Sequence, residues 1–227
     1  MNFKIEKSEA STRFPQFSIF MGLPKIGKST KMAELPKALI LDLEMKGYDE
    51  IDAAAVVKVP NTDILYEVTK YFFSKENTDS KFLVIDHLRM LSSFYTDRII
   101  KENDVRFIEE VGYGKGNYQL KNELHRFLRR LKTQLGLHPD KYVVIVAHAS
   151  DRNNEIRLDV DGKNESIVLG EVDSVGFISR DADKVTNVSF GSRRGVEFGT
   201  RNKYLANYSG PFEWQTLFKV SKGEQVK

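Results

Sequence analysis

The chain has 227 residues, 41% hydrophobic and 30% charged, with a formal net charge of +3. That length suits one large α/β domain, and a charge so near balance leaves any polyanion-binding surface to local clusters. The absence of cysteine excludes disulfides and thiolate metal sites, and no apolar run approaches the ~18 residues of a membrane span. The first residues, polar and without an apolar core, predict no signal peptide, and a cytoplasmic protein is expected.

Residues 1–15 read as an arm or an edge strand. Phe17 to Met21 is a short apolar run suited to a buried strand. It leads into Gly22-Leu23-Pro24-Lys25-Ile26-Gly27-Lys28-Ser29-Thr30, which fits the pattern G-x-x-x-x-G-K-[ST] without a mismatch. With a strand before it and a helix opening after it, this is a phosphate-binding loop. Its glycines let several backbone N–H groups turn toward one anion, and the helix start adds its positive end. Lys28 is expected to reach the β- and γ-phosphates of ATP, and Ser29 to ligate Mg2+.

Pro36 ends the first helix. Ala38 to Leu43 reads as a second buried strand ending at Glu44, and Ala53 to Val59 is a third apolar run. Asn61 or Thr62 caps a helix reaching about Phe73. Lys81 to Asp86 is a strand ending in an acid, with Asp86 on the metal side of the site. A mostly helical segment from Leu88 to Glu110 is broken at Gly112-Tyr113-Gly114-Lys115-Gly116. Asn117 to Leu135 has the spacing of an amphipathic helix, and Tyr142 to Ala147 is a buried strand ending at His148. Strands alternating with helices predict a mostly parallel sheet flanked by helices. Beyond Ser150 the pattern predicts a hairpin or loop around Asp161-Gly162, then an antiparallel hairpin turning at Asp181-Ala182-Asp183. Residues after about Lys219 are expected to fray. One domain, 1–227, with its core at about 15–205, is the economical reading.

Hydrolysis also needs a metal-side acid and a group that positions water. Asp86 fits the first role, with capping of the next helix as its plain alternative. Glu44, at the edge of a neighbouring strand, fits the second as general base. Asp42 points the same way but deeper, and Asp42 or Glu44 could instead cap a turn. His148 could hydrogen-bond the γ-phosphate and report its loss. His87 reads as structural, His125 and His138 as surface or loop residues.

The series Gly22 to Ser29, Leu41-Asp42-Leu43-Glu44, Leu83-Val84-Ile85-Asp86, Tyr113 to Gly116 and Val144 to His148 resembles the phage-encoded ATPases with a RecA-type core. These include the short single-strand-annealing recombinases of bacteriophages. The resemblance covers most of residues 15–205 and implies a RecA-like P-loop NTPase fold with Glu44 as the catalytic glutamate. His148 falls where those proteins usually carry glutamine. DNA-binding loops are implied at about 104–118 and 150–172, and so is a homo-oligomer, because RecA-type sites lie between subunits. Arg106, Tyr113, Lys115, Tyr118 and Lys121 have the cationic and aromatic character that suits single-stranded DNA. The second loop carries more acids than bases. Arg193, Arg194, Arg201 and Lys203 could hold DNA or act in trans on a neighbour's γ-phosphate. The function implied is Mg-dependent ATP hydrolysis serving phage DNA recombination. The alternatives are an ATPase that loads or remodels a partner protein in replication or packaging, a P-loop small-molecule kinase, and a nucleotide-gated structural subunit.

Overall fold

A computed structural model describes residues 12–152, 155–160, 164–191 and 199–225. Strand β1 (Phe17–Gly22) is buried throughout and runs through the phosphate loop into α1 (Lys28–Ala33). Then come β2 (Ala38–Asp42), β3 (Val56–Lys58), α2 (Thr62–Phe72), β4 (Phe82–Asp86), α3 (Leu88–Asn103), a 3-10 turn (Ile108–Glu110) and α4 (Lys115–Leu137). The remainder is β5 (Tyr142–Arg152), β6 (Glu155–Leu158), α5 (Glu165–Glu171), β7 (Ser174–Arg180), β8 (Thr186–Ser189), β9 (Gly199–Thr200), β10 (Ser209–Pro211) and α6 (Trp214–Ser221). Local chemistry sets several boundaries. The Asn61 side chain, for one, accepts the Asp63 and Ile64 N–H groups at the start of α2.

Among the described residues the sheet order is β10-β8-β7-β1-β5-β4-β2-β3, parallel from β7 to β3 and antiparallel at β8 and β10. This is a P-loop NTPase fold with antiparallel C-terminal strands. Alternating side chains feed two cores. Phe17, Ile19, Met21, Leu83, Ile85, Val143 and Ile145 pack in a cluster with residues of α2 to α5. Phe20, Ile40, Val84, Val144 and Val146 pack with Met32 of α1 and with Phe212, Trp214 and Leu217. The register aligns Gly22 with His148, and Asp42 with Asp86. Strand ends therefore gather at one edge of the sheet.

Several expectations need correction. Strand β5 does not end at His148; it leaves the parallel ladder and runs on to Arg152, pairing antiparallel with β6. That pairing sets Arg152 opposite Glu155, and residues 165–171 are helical. Asp161-Gly162 lies outside the described residues, as do Arg193 and Arg194 and the first eleven residues of the expected arm. Residues 12–16 form no strand, and Phe14 is instead buried, 5.4 Å from the Phe218 ring and 6.1 Å from Trp214. Helix α4 starts and ends two residues outside the predicted bounds.

The last helix runs to Ser221, two residues past the expected onset of fraying at about Lys219. Tertiary contacts override its polar end: Trp214 Nε1 donates to Lys31 O at 2.6 Å, and its ring lies 5.3 Å from Phe20. Trp214→Ala is expected to lower stability by about 3–5 kcal/mol in denaturant unfolding. A loss below ~1 kcal/mol would contradict this docking.

Candidate functional site

The phosphate loop is shaped by two glycines. A Cβ on Gly22 would lie 2.6 Å from Ile178 O on β7, so only glycine fits between the strands. Gly27 has φ +88° and opens α1 from the left-handed region. Lys28, buried, donates to Gly22 O at 3.0 Å and Leu23 O at 2.7 Å, and stands 3.1 Å from His148 Nδ1. Burial pulls the Lys28 ammonium down to about 8, opposed by the Asp86 and Glu44 carboxylates. Burial, with the positive charge of Lys28 next, pushes His148 down to about 4. His148 is thus neutral near pH 7, and its Nδ1 accepts from Lys28.

Asp86 ends β4 beside the loop. Ser29 Oγ donates to Asp86 Oδ2 at 2.8 Å, and the Tyr48 hydroxyl donates to the same oxygen at 2.7 Å. Burial pushes the Asp86 carboxyl above the usual range, against the pull of those two hydroxyls. Asp86 does not cap α3, whose N-cap residue is His87. A hydroxyl and a carboxylate on one point are the hard oxygen donors that Mg2+ takes, so Ser29 and Asp86 fit that ion.

Glu44 lies just past β2, and its Oε1 is 2.8 Å from His87 Nε2. The Glu44 side chain is 50% exposed while that of His87 is 5% exposed, so the carboxylate reaches solvent from a buried anchor. The His87 ring meets His148 edge to face at 4.5 Å. Ligating atoms of Glu44, His87 and His148 all lie within 4.8 Å of one another. With the Lys28 ammonium 3.1 Å from His148, that corner already holds a positive charge. Asp42 is buried, and its Oδ1 accepts the Glu44 N–H at 3.1 Å, shaping the turn that presents Glu44.

Three residues of this site escaped the sequence reading. His87 had a signal, its place directly after Asp86. Tyr48 and Arg180 had none. Tyr48 arrives from the β2–β3 connection, and Arg180 from the end of β7, where its Nη2 would stand 3.1 Å from a Cβ on Gly27. Arg180 is exposed and has no ion-pair partner among the described residues, so it brings a further positive charge to the phosphate loop.

The candidate nucleic-acid residues occupy a separate surface. Arg106, Tyr113, Lys115, Tyr118 and Lys121 are all exposed around the 3-10 turn and the start of α4, with Phe107 beside them 62% exposed. The 150–172 segment proves less acidic in effect than its composition. Asp159 pairs with Arg89, Glu165 with Arg157, and Glu171 with His125 and Lys132. These acids fasten the segment to α3 and α4, as well as to itself. Arg201 is likewise held by Asp173 at 3.4 Å, and the Lys203 ammonium lies over the Tyr204 ring at 4.7 Å. Among the described residues no helix is long and apolar enough to cross a membrane.

Residues 16–207 match the family model described as AAA domain. No curated protein matches the chain.

Proposed function

Because this chain belongs to the AAA domain family of P-loop ATPases, we propose that it hydrolyses ATP with Mg2+ in a RecA-type site and couples hydrolysis to single-stranded DNA, as in the annealing recombinases of phages. One observation carries the hydrolytic reading. Lys28 and Ser29 at the start of α1, Asp86 at the end of β4 and Glu44 just past β2 come to one edge of the sheet.

The phosphate loop and Lys28 hold the β- and γ-phosphates, and Arg180 adds charge beside Gly27. Ser29 and Asp86 would hold the Mg2+ ion, which when bound would neutralise charge on the phosphate oxygens. Glu44 takes a proton from water as the water oxygen bonds to the γ-phosphorus. The bond from that phosphorus to the bridging oxygen breaks, and ADP leaves with the electron pair. As the γ-phosphate draws Lys28 away, His148 loses that bond and its Nε2–H can donate to a phosphate oxygen, and the continuous strand β5 carries that change toward β6.

The DNA reading rests on the exposed aromatic and cationic side chains of residues 106–121, whose rings can stack on bases while the cations follow the backbone. A homo-oligomer follows if a neighbour completes the site. The test is ATP turnover with and without single-stranded DNA across a salt series. Stimulation, with binding that weakens as salt rises, is expected, and Tyr113→Ala is expected to reduce both. Turnover unchanged by DNA, together with no salt-dependent binding, would leave the partner-remodelling ATPase as the better reading.

A further inference from the structure

We propose that His87 is a positioning residue that holds Glu44 where it can take the proton of the attacking water. The inference rests on the reading of Glu44 as general base.

His87 is 4% exposed. A buried imidazole is costly unless its polar atoms are paired. Among the described residues Nδ1 has no partner, and the hydrogen bond of Nε2 goes to Glu44 Oε1 at 2.8 Å. The side chain does no capping either, although His87 occupies the N-cap position of α3. An apolar residue would fill this space without stranding Nδ1. The ring's polar chemistry therefore serves Glu44 rather than the fold.

Glu44 needs such a partner. Its half-exposed side chain would otherwise sample several rotamers, and fixing it costs conformational entropy. The Nε2–H of His87 fixes Oε1, leaving Oε2 without a partner among the described residues and able to accept a proton. The anchor is itself braced. The His87 ring abuts His148, which accepts from Lys28. Phosphate-binding lysine and water-positioning glutamate are thus joined through two histidines.

Single-turnover and steady-state hydrolysis by the full chain test the proposal, with ATP affinity measured separately. His87→Ala is expected to lower kcat by about 10- to 100-fold, the scale of a small misplacement of a catalytic group. ATP affinity should stay within about twofold, since His87 touches no phosphate-holding group except through His148. His87→Gln, which keeps an N–H at similar reach, should recover most of kcat. In a Glu44→Gln background, His87→Ala should cost little more. Unchanged kcat in His87→Ala, equal losses of affinity and kcat, or a glutamine variant no better than alanine would each overturn the role. If His87→Ala does not fold, the glutamine variant and the double variant His87→Gln/Glu44→Gln carry the test. Should Glu44→Gln retain turnover, the general-base reading itself falls. Should it lose turnover while His87→Ala keeps it, only the positioning role falls.

Discussion

Glu44→Gln is expected to lower ATP turnover by about 10²–10⁴-fold, the usual contribution of a general base, with ATP affinity little changed. The substitution keeps the shape of the side chain and its ability to accept from His87 Nε2 through the amide oxygen. What it removes is the carboxylate proposed to take the water proton. Asp42 cannot substitute, because it is buried beneath the turn and its Oδ1 is engaged by the Glu44 N–H. Single-turnover hydrolysis beside a binding isotherm separates the two effects. Turnover within threefold of the unmodified chain would remove Glu44 from the chemistry.

Lys28→Ala is expected to weaken ATP binding by about 10- to 150-fold, the value of one charge-assisted contact of roughly 1.5–3 kcal/mol. In the free protein the ammonium rests on Gly22 O, Leu23 O and His148 Nδ1, so nucleotide must draw it from partners already within 3.1 Å. A pH signature follows. Burial holds the free-state value at about 8, and bound phosphate charge raises it. Below pH ~8 Lys28 is charged in both states and contributes no slope. Above it, binding takes up a proton, and affinity falls by up to about tenfold per unit until the bound-state value is reached. His148, already neutral well above its value of about 4, adds no slope there. Titration of a fluorescent ATP analogue at pH 7, 8 and 9 checks both points. The alkaline weakening must vanish in Lys28→Ala. An identical slope in the variant would assign it to another group.

Contiguous chemistry was legible in the chain. A phosphate loop is built from neighbours in sequence, so Gly22, Gly27, Lys28 and Ser29 declare themselves. Asp86 and Glu44 could be read because each closes a buried apolar run, and the ends of parallel strands meet at one edge. The alternation of strand and helix pointed to the sheet for the same reason. Periodicity failed where long-range contacts decide. Strand β5 outruns its apolar run because β6 supplies partners for residues 149–152. The last helix holds because Trp214 reaches Lys31 and Phe20, neither near it in sequence. The acids of the 150–172 segment looked like a poor surface for a polyanion, yet the charges of Asp159, Glu165 and Glu171 are taken up by Arg89, His125, Lys132 and Arg157.

The sequence by itself determined that a nucleotide phosphate is to be cradled between Phe17 and Thr30, because the backbone conformation and charge of that cradle reside in consecutive residues. Only the tertiary structure decided what surrounds it. Tyr48 against Asp86, Arg180 beside Gly27 and His87 against Glu44 are contacts across 38, 153 and 43 positions of chain. Such contacts depend on which strand lies beside which, and no local pattern encodes that.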